Sequence, residues 1–282
     1  HSVYSGDENA LSQKWFLGND SLHKQGHILV FCKESYDALL DVPSENGYSF
    51  KDSISLVIND ESHIVDQGVP AEALTLNFSA TPKQEERTVL THTFTRKEGI
   101  ESRILSPLLV DDTLSDKPSA EDIKKIIETC PHPSDESTKL QSHKGIIYVS
   151  SILEAKALAK LLKEALNAPN IYEIHSSNKE ESTALKAFKA DSAGGIAIAV
   201  NLLKEGFDSA EVDWLIMAKN DKQSITDYTQ MTGRILRKDP SNEDKVGFVI
   251  HSCLLTEHIT QAAKNAKMPS PIPEGNWQAP MV

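Results

Sequence analysis

The sequence predicts an α/β fold built on parallel β-sheets, and two observations support this. From residue 144 onward, apolar runs alternate with segments of helical spacing, an arrangement typical of strands joined by right-handed crossovers. These runs lie near 145–149, 170–174, 195–200, 213–217 and 246–250. An earlier apolar run, 56–58, ends in charged residues, as buried strands of parallel sheets do.

The remaining elements follow in chain order. Before the run at 56–58, the sequence predicts a strand over 26–32 and a short helix over 33–40. After it come a strand over 73–78 and an alternating, half-buried strand over 88–94. Residues 95–120 have the composition of a connection between two domains. Helices are expected at 120–129, 151–166, 179–190 and 224–236, and the proline-rich tail from residue 268 is expected to be extended.

Composition excludes several classes of protein. The 282 residues suffice for one large domain or two ordinary ones, and 39% hydrophobic with 25% charged residues is typical of a globular chain. No apolar run is long enough to span a bilayer, so a cytoplasmic protein without a membrane partner is expected. The three cysteines show no zinc-site spacing. A net charge of −12 argues against a general nucleic-acid coat protein but allows a local basic groove.

Acidic and hydroxyl residues follow the two predicted strands at 56–58 and 73–78. Asp60 and Glu61 come directly after the first strand, where ligands of parallel sheets collect. Asp60 there could hold Mg²⁺ through a water, and Glu61 could activate an attacking water. A solvated pair at a strand end is the simpler alternative. Ser79 and Thr81 follow the second strand, and they could merely cap the turn before Pro82.

A basic pair lies near the end of the alternating region, in the segment Gln-Met-Thr-Gly-Arg-Ile-Leu-Arg at 230–237. Arg234 and Arg237 are three residues apart, so a helix would place them on one side. Two guanidinium groups so arranged can stabilise the charge of a transferring phosphoryl group. Such a pair more often lies on a solvated helix face.

Taken in order, Asp-Glu-Ser-His at 60–63, Ser-Ala-Thr at 79–81 and the segment at 230–237 resemble motifs of superfamily 2 helicases and translocases. Between them, 195–208 resembles motif V, and 145–151 resembles motif IV of that family. The combination of Leu-Leu-Lys-Glu-Gly-Phe-Asp with Gly-Arg-Ile-Leu-Arg most resembles the branch of type I and type III restriction-enzyme motor subunits. The resemblance covers roughly residues 25 to 250.

The resemblance implies ATP and Mg²⁺ as cofactors, bound between two RecA-like lobes. It implies roles for eleven residues of this chain. In the first lobe, Asp60 binds the metal, Glu61 activates water, His63 couples the nucleotide to the second lobe, and Ser79 and Thr81 link the lobes. In the second lobe, Gly206 allows a tight turn, and Asp208 binds the ribose or supports the arginines. Gln230 and Gly233 shape the turn that carries the arginine fingers Arg234 and Arg237.

A nucleic-acid partner is also implied, with DNA favoured over RNA by the branch that the motifs resemble. Ser150, Ser151 and His175 are placed to donate to its backbone. Ser151 could equally be the N-cap of the helix that follows, which is its more ordinary role. Val200 stands where many members of the family carry a phosphate-binding threonine, so that contact is not expected here.

The sequence lacks the Gly-x-x-x-x-Gly-Lys-Ser/Thr loop that cradles phosphates in this family. We therefore expect residues 1–105 to be the C-terminal part of a first RecA-like lobe, 106–252 a complete second lobe, and 253–282 an extension. The missing loop, and the absence of an initiating methionine, indicate a fragment of a larger motor that is inactive alone. The missing partner would be the preceding P-loop segment of the same protein.

Two other interpretations remain open at this point. A non-catalytic protein-interaction module could use a degenerate helicase scaffold, which the missing loop favours. A subunit linked to a nuclease outside this chain is a weaker alternative. The motor interpretation is preferred because a scaffold without catalysis has no physical reason to keep both the carboxylates and the arginines.

Overall fold

The computed structural model describes residues 54–60, 73–79, 92–166, 170–178, 181–191, 194–200, 203, 209–219, 223–266 and 270–272. The chain divides into two compact units, residues 1–88 and 89–282. The predicted helix at 33–40 and strand at 26–32 lie outside the described residues. None of the described helices is long and apolar enough to cross a bilayer.

Two parallel strands are described in the first unit, β1 (Leu56–Asn59) and β2 (Leu74–Asn77). Both agree with the predicted strands of this region. The Asn59 side chain donates a hydrogen bond of 2.9 Å to the side-chain oxygen of Asn77, and the Phe78 amide donates to the Asn59 carbonyl at 2.8 Å. Asp60 and Ser79 therefore follow the carboxyl ends of neighbouring strands, as the sequence predicts.

The second unit is built from alternating helices and strands. In chain order these are α1 (Arg96–Glu101), β3 (Leu108–Leu114), α2 (Ala120–Thr129), β4 (Pro131–His132), β5 (Asp135–Lys139), a 3-10 turn (Leu140–Ser142), β6 (Gly145–Tyr148), α3 (Ile152–Ala165), β7 (Ile171–Ile174), α4 (Glu181–Ala190), β8 (Ile196–Ala199), β9 (Trp214–Met217), α5 (Ile225–Gly233), β10 (Gly247–Ser252) and α6 (Cys253–Asn265).

Six of these strands form one sheet, in the order β3-β10-β9-β6-β8-β7. Every neighbouring pair is parallel, so the predicted α/β class with a parallel sheet is confirmed. β6, β8 and β9 are buried along their whole length, because helices cover both faces of the sheet. β4 and β5 form a separate antiparallel hairpin.

The helices begin where the sequence places small hydroxyl residues. Side-chain oxygens accept an amide N–H from the first turn at each of these N-caps. The N-caps are Thr95, Ser119, Ser151, Ser224 and Ser252. Alternate residues of the strands then face two separate cores, so that Ile146 packs on one side of the sheet and Ile147 on the other.

Two expectations from the sequence, the connection at 95–120 and the strand through 94, differ from the structure. Residues 95–120 are not a simple connection, because they contain α1 and the edge strand β3, whose Leu108, Val110 and Leu114 are buried. The predicted strand over 88–94 does not extend through residues 92–94, which form no regular element. Residues 253–265 form α6, whose apolar face is buried in the second unit. The compact units also divide at residue 88, before the expected domain boundary at 105.

Candidate functional site

The segment that carries both arginines begins in α5 and ends outside it. Gly233 is the last helical residue, and Arg234 is the C-cap, with its amide donating to the Met231 carbonyl at 3.2 Å. Arg237 instead forms an antiparallel bridge with Leu105. The helix is therefore shorter than predicted, and the arginines do not share a helical turn. Both side chains are partly exposed.

The buried side of α5 is held by Arg96, which sequence reasoning missed. Its guanidinium donates to the Thr232 hydroxyl at 2.9 Å, to the Thr229 carbonyl at 3.3 Å and to the Pro271 carbonyl at 2.8 Å. These acceptors are neutral, so burial lowers the pKa of Arg96 below its ordinary value. Arg96 thus fixes the last two turns of α5 against α1 and residue 271.

A second contact ties α5 to the sheet. The His251 Nδ1 atom lies 3.0 Å from the Ser252 carbonyl, which can only accept, so Nδ1 carries the ring proton. His251 Nε2 then accepts the hydrogen bond from the Tyr228 hydroxyl, at 3.1 Å. Burial lowers the pKa of His251 and raises the pKa of Tyr228, so both groups stay neutral.

Gly233 has no structural reason to be glycine. Its φ is not in the left-handed region, and a Cβ atom built on it would meet none of the described atoms within 4 Å. Gly145 is the opposite case, since a Cβ there would lie 1.9 Å from Cε2 of Trp214. The backbone at Gly233 does not require the turn-shaping role that the sequence predicts. The missing side chain instead leaves the end of α5 open to an approaching group.

Residues 195–200 and Leu203 are the described part of the motif V segment, and Leu203 is strained. Its φ is 64°, a conformation that costs a non-glycine residue about 1–2 kcal/mol. The Tyr148 hydroxyl donates to the Leu203 carbonyl at 3.1 Å, and Tyr148 is fully buried. Burial raises the pKa of Tyr148, and the nearby charge of Arg234 partly opposes this. Gly206 and Asp208 lie outside the described residues.

Ser150 and Ser151 follow the carboxyl end of β6. The Ser151 hydroxyl accepts from the Glu154 amide at 3.2 Å, so the N-cap role is observed. The Ser150 amide donates to the Glu154 carboxylate at 3.0 Å. A carboxylate therefore already occupies this helix end, which weakens its attraction for a phosphate. The nucleic-acid role of both serines stays a prediction.

His175, the third residue predicted to contact nucleic acid, follows β7. Its side chain is 1% exposed, and its Nε2 atom lies 3.7 Å from the Glu173 carboxylate. Neither ring nitrogen has a hydrogen-bond partner among the described atoms. The ring is buried in this conformation, and its predicted contact with nucleic acid stays a prediction.

The carboxyl ends of β1 and β2 are the part of the acidic motif that the structure describes. Asp60 and Ser79 are placed there, while Glu61, His63 and Thr81 lie outside the described residues. Asp60 follows a strand end, as a residue that holds Mg²⁺ does in parallel sheets.

A cluster of His132, His143 and Asp213 was not singled out from the sequence. His143 Nδ1 lies 3.1 Å from the Asp213 carboxylate, and His132 Nε2 lies 3.4 Å from the same oxygen. Burial alone would raise the pKa of Asp213, but the two histidines outweigh it and the pKa is lowered. The imidazole rings are stacked, 3.7 Å apart and within 9° of parallel. A metal ion must lie close to the plane of each ligating ring, so these stacked rings cannot share one. The cluster instead joins the β4–β5 hairpin region to the start of β9.

Comparison with known proteins agrees with this architecture. Residues 121–239 match the family model of the helicase conserved C-terminal domain. A fragment assigned as the HsdR subunit of a type I restriction enzyme from Vibrio vulnificus YJ016 is similar in structure, with 18% identity and a TM-score of 0.59. The ATP-dependent Type ISP restriction-modification enzyme LlaBIII, bound to DNA, is also similar, with 16% identity and a TM-score of 0.54. No curated protein matches the chain significantly.

The two structural matches extend well beyond this chain. The likeness covers 80% of this chain and 48% of the HsdR fragment. For LlaBIII it covers 86% of this chain and 21% of the enzyme. At these identities the likeness establishes the fold, and it reaches past the region that the family model matches.

Proposed function

We propose that the chain, whose residues 121–239 match the family model of the helicase conserved C-terminal domain, supplies the second lobe of an ATP-driven motor acting on nucleic acid. One observation carries the proposal. Arg234 at the end of α5 and Arg237 in the segment that follows are both partly exposed, and the other face of α5 is fixed by buried contacts. Guanidinium groups on a fixed backbone can stabilise the negative charge of a transferring phosphoryl group.

The open end of α5 supports the same role. A ligand phosphate can approach the backbone at Gly233 because no described atom lies within 4 Å of where a Cβ would stand. The described residues do not require glycine at that position, and the free space is compatible with a bound phosphate. ATP and Mg²⁺ are the cofactors that this arrangement fits, with Arg234 and Arg237 facing the terminal phosphate.

The acidic residues of the proposed motor belong to the first unit. Asp60 follows β1 and would bind the metal, and Glu61 would activate the attacking water. His63, Ser79 and Thr81 would then couple nucleotide binding to movement of the lobes. Phosphate binding itself needs a P-loop, which these 282 residues lack. We propose that a preceding segment of the same protein supplies it.

DNA is the proposed substrate of the motor, since both similar structures reported above belong to restriction enzymes and LlaBIII is bound to DNA. The test measures ATP hydrolysis by the full-length natural polypeptide with Mg²⁺, in the presence of duplex DNA, single-stranded DNA or RNA. Stimulation by DNA is the expected result. Stimulation by RNA alone would mean that the substrate is RNA, and the proposed motor function would stand.

A protein-interaction module is the second candidate, favoured by the missing P-loop and the net charge of −12. This candidate predicts that the full-length polypeptide neither binds nor hydrolyses ATP under any of those conditions. It also predicts that substitution of Arg234 leaves every measured property unchanged. Nucleotide binding followed by fluorescence of a labelled ATP analogue separates the two candidates directly.

A further inference from the structure

The buried ammonium group of Lys245 bonds to two backbone segments, at Arg237 and at Ala210, whose relative position matters for the proposed site. Nζ of Lys245 donates to the carbonyl of Arg237, at 2.9 Å, and to the carbonyl of Ala210. Arg237 is the second proposed arginine finger, and Ala210 follows Asp208 by two residues. The Lys245 side chain is 2% exposed, so these bonds form away from solvent.

Burial of Lys245 makes its charged form less favourable, and its pKa shows this. Burial lowers the pKa of Lys245 to about 8, although the carboxylates of Asp213 and Asp239 act in the opposite direction. A buried ammonium bonded mainly to carbonyls is expensive compared with an apolar side chain of the same shape. The arrangement is therefore unfavourable for stability alone.

The backbone at Arg237 is also held without Lys245. Arg237 bridges Leu105, and the Ser106 amide donates to the Leu236 carbonyl at 2.8 Å. These bonds fix the segment against the amino end of β3. Lys245 connects this segment to Ala210, which follows motif V.

Lys144, a second buried lysine, has a structural role and serves as a comparison for Lys245. Lys144 is 4% exposed, and its Nζ donates to the carbonyls of Lys189 and Asp191 and to the Glu211 carboxylate. It closes the end of α4 and pairs with a carboxylate. It contacts neither Arg237 nor the carbonyl of Ala210. The two lysines thus have similar burial but different connections.

We propose that Lys245 is a positioning residue that sets the arginine finger Arg237 in register with motif V, an inference that rests on the proposed motor function. A single amine bonded to the carbonyls of Ala210 and Arg237 keeps the spacing of these two backbone segments fixed while the side chain of Arg237 engages the nucleotide. Losing the amine would let the segment at Ala210 shift relative to Arg237, and small misplacements of catalytic groups slow the chemical step more than they weaken binding.

The test measures steady-state ATP hydrolysis by the full-length natural polypeptide and its variants with saturating DNA. Lys245→Met keeps the stem and removes the donors, and we expect kcat to fall about 10- to 100-fold while KM for ATP changes less than about twofold. Lys245→Arg, which keeps the charge and donors, should restore part of kcat. Lys144→Met is the matched control and should leave kcat unchanged. Melting temperatures are recorded for every variant.

A double-mutant cycle with Arg237→Ala separates positioning from general loss of structure. If Lys245 acts through Arg237, the double variant should be no slower than Arg237→Ala alone. Unchanged kcat in Lys245→Met would overturn the inference, and so would equal losses in Lys144→Met or multiplicative losses in the cycle. If Lys245→Met does not fold, Lys245→Gln and Lys245→Arg are compared in its place. A wild-type protein without ATP hydrolysis would instead remove the proposed function, and the inference with it.

Discussion

The hydroxyl of Tyr148 donates a hydrogen bond of 3.1 Å to the carbonyl of Leu203, a residue whose φ of 64° is strained. Tyr148 ends β6, and Leu203 lies in the segment that resembles motif V. One buried phenol thus holds an unfavourable backbone conformation beside the proposed site. Strain of this kind persists only where the surrounding structure enforces it.

Removal of that hydroxyl is the first prediction. Tyr148→Phe should lower the free energy of unfolding by about 1–3 kcal/mol, because the Leu203 carbonyl loses its buried donor. Urea denaturation of the 282-residue chain measures this. Tyr172→Phe is the control, since the Tyr172 hydroxyl donates to Asp191 at a partly exposed position and should matter less. Equal effects in both variants would argue against a special role for Tyr148.

Gly233 gives a prediction that separates folding from function. Gly233→Ala should leave stability unchanged or raise it by up to about 1 kcal/mol, because alanine is the better helix former and the site has room. ATP hydrolysis by the full-length protein should nevertheless fall, since the methyl group fills the proposed phosphate approach. Gly145→Ala, which meets Trp214, should be clearly destabilised. A fully active Gly233→Ala enzyme would contradict a ligand at this end of α5.

Ser151 allows the cap and the proposed nucleic-acid contact to be tested separately. Ser151→Ala should cost about 1 kcal/mol of stability through loss of the cap on α3. Ser151→Asp keeps a capping oxygen, so its stability should remain near wild type. Its added negative charge should weaken DNA binding, as measured by fluorescence anisotropy at low salt. Unchanged binding in Ser151→Asp would limit Ser151 to its structural role.

Lys245 makes stability depend on pH. The folded-state pKa is about 8, below the ordinary value of 10.5, so between these values the unfolded chain binds a proton that the folded chain does not. Stability contributed at this site therefore rises with pH across that window. The difference in unfolding free energy between wild type and Lys245→Met should shift in favour of wild type by roughly 2 kcal/mol from pH 8 to 9.5.

Subtracting the variant from the wild type cancels other groups that titrate in that range. Cys130 is one, because burial raises its pKa to about 11 and makes its contribution fall with rising pH. A difference that stays flat from pH 8 to 9.5 would mean that the folded chain does not hold Lys245 with a lowered pKa.

Much of the second unit could be predicted from the sequence because its strands are short apolar runs flanked by polar residues. β6, β8 and β9 lie where the pattern placed them, and α2 begins and ends as expected. β3 was missed because Asp111 and Asp112 interrupt its apolar pattern, which an edge strand tolerates where a central one would not.

The candidate site was only partly predictable for a different reason. The arginines, Gly233 and Ser151 could be singled out as candidates because their motifs are local in sequence. Arg96 and Lys245 could not be singled out, since the residues that they contact are distant along the chain. Arg96 contacts a carbonyl 175 residues away, and Lys245 reaches back 35 residues to Ala210. No spacing rule in a single sequence connects such pairs.

The measurement that tests the central claim most directly is the rate of ATP hydrolysis by the full-length natural polypeptide, with saturating DNA, before and after Arg234→Ala. If Arg234 faces the terminal phosphate as an arginine finger, kcat should fall by about 10³-fold or more. Circular dichroism should stay unchanged, because Arg234 lies at the partly exposed end of α5. A variant that hydrolyses ATP at the wild-type rate would contradict the account.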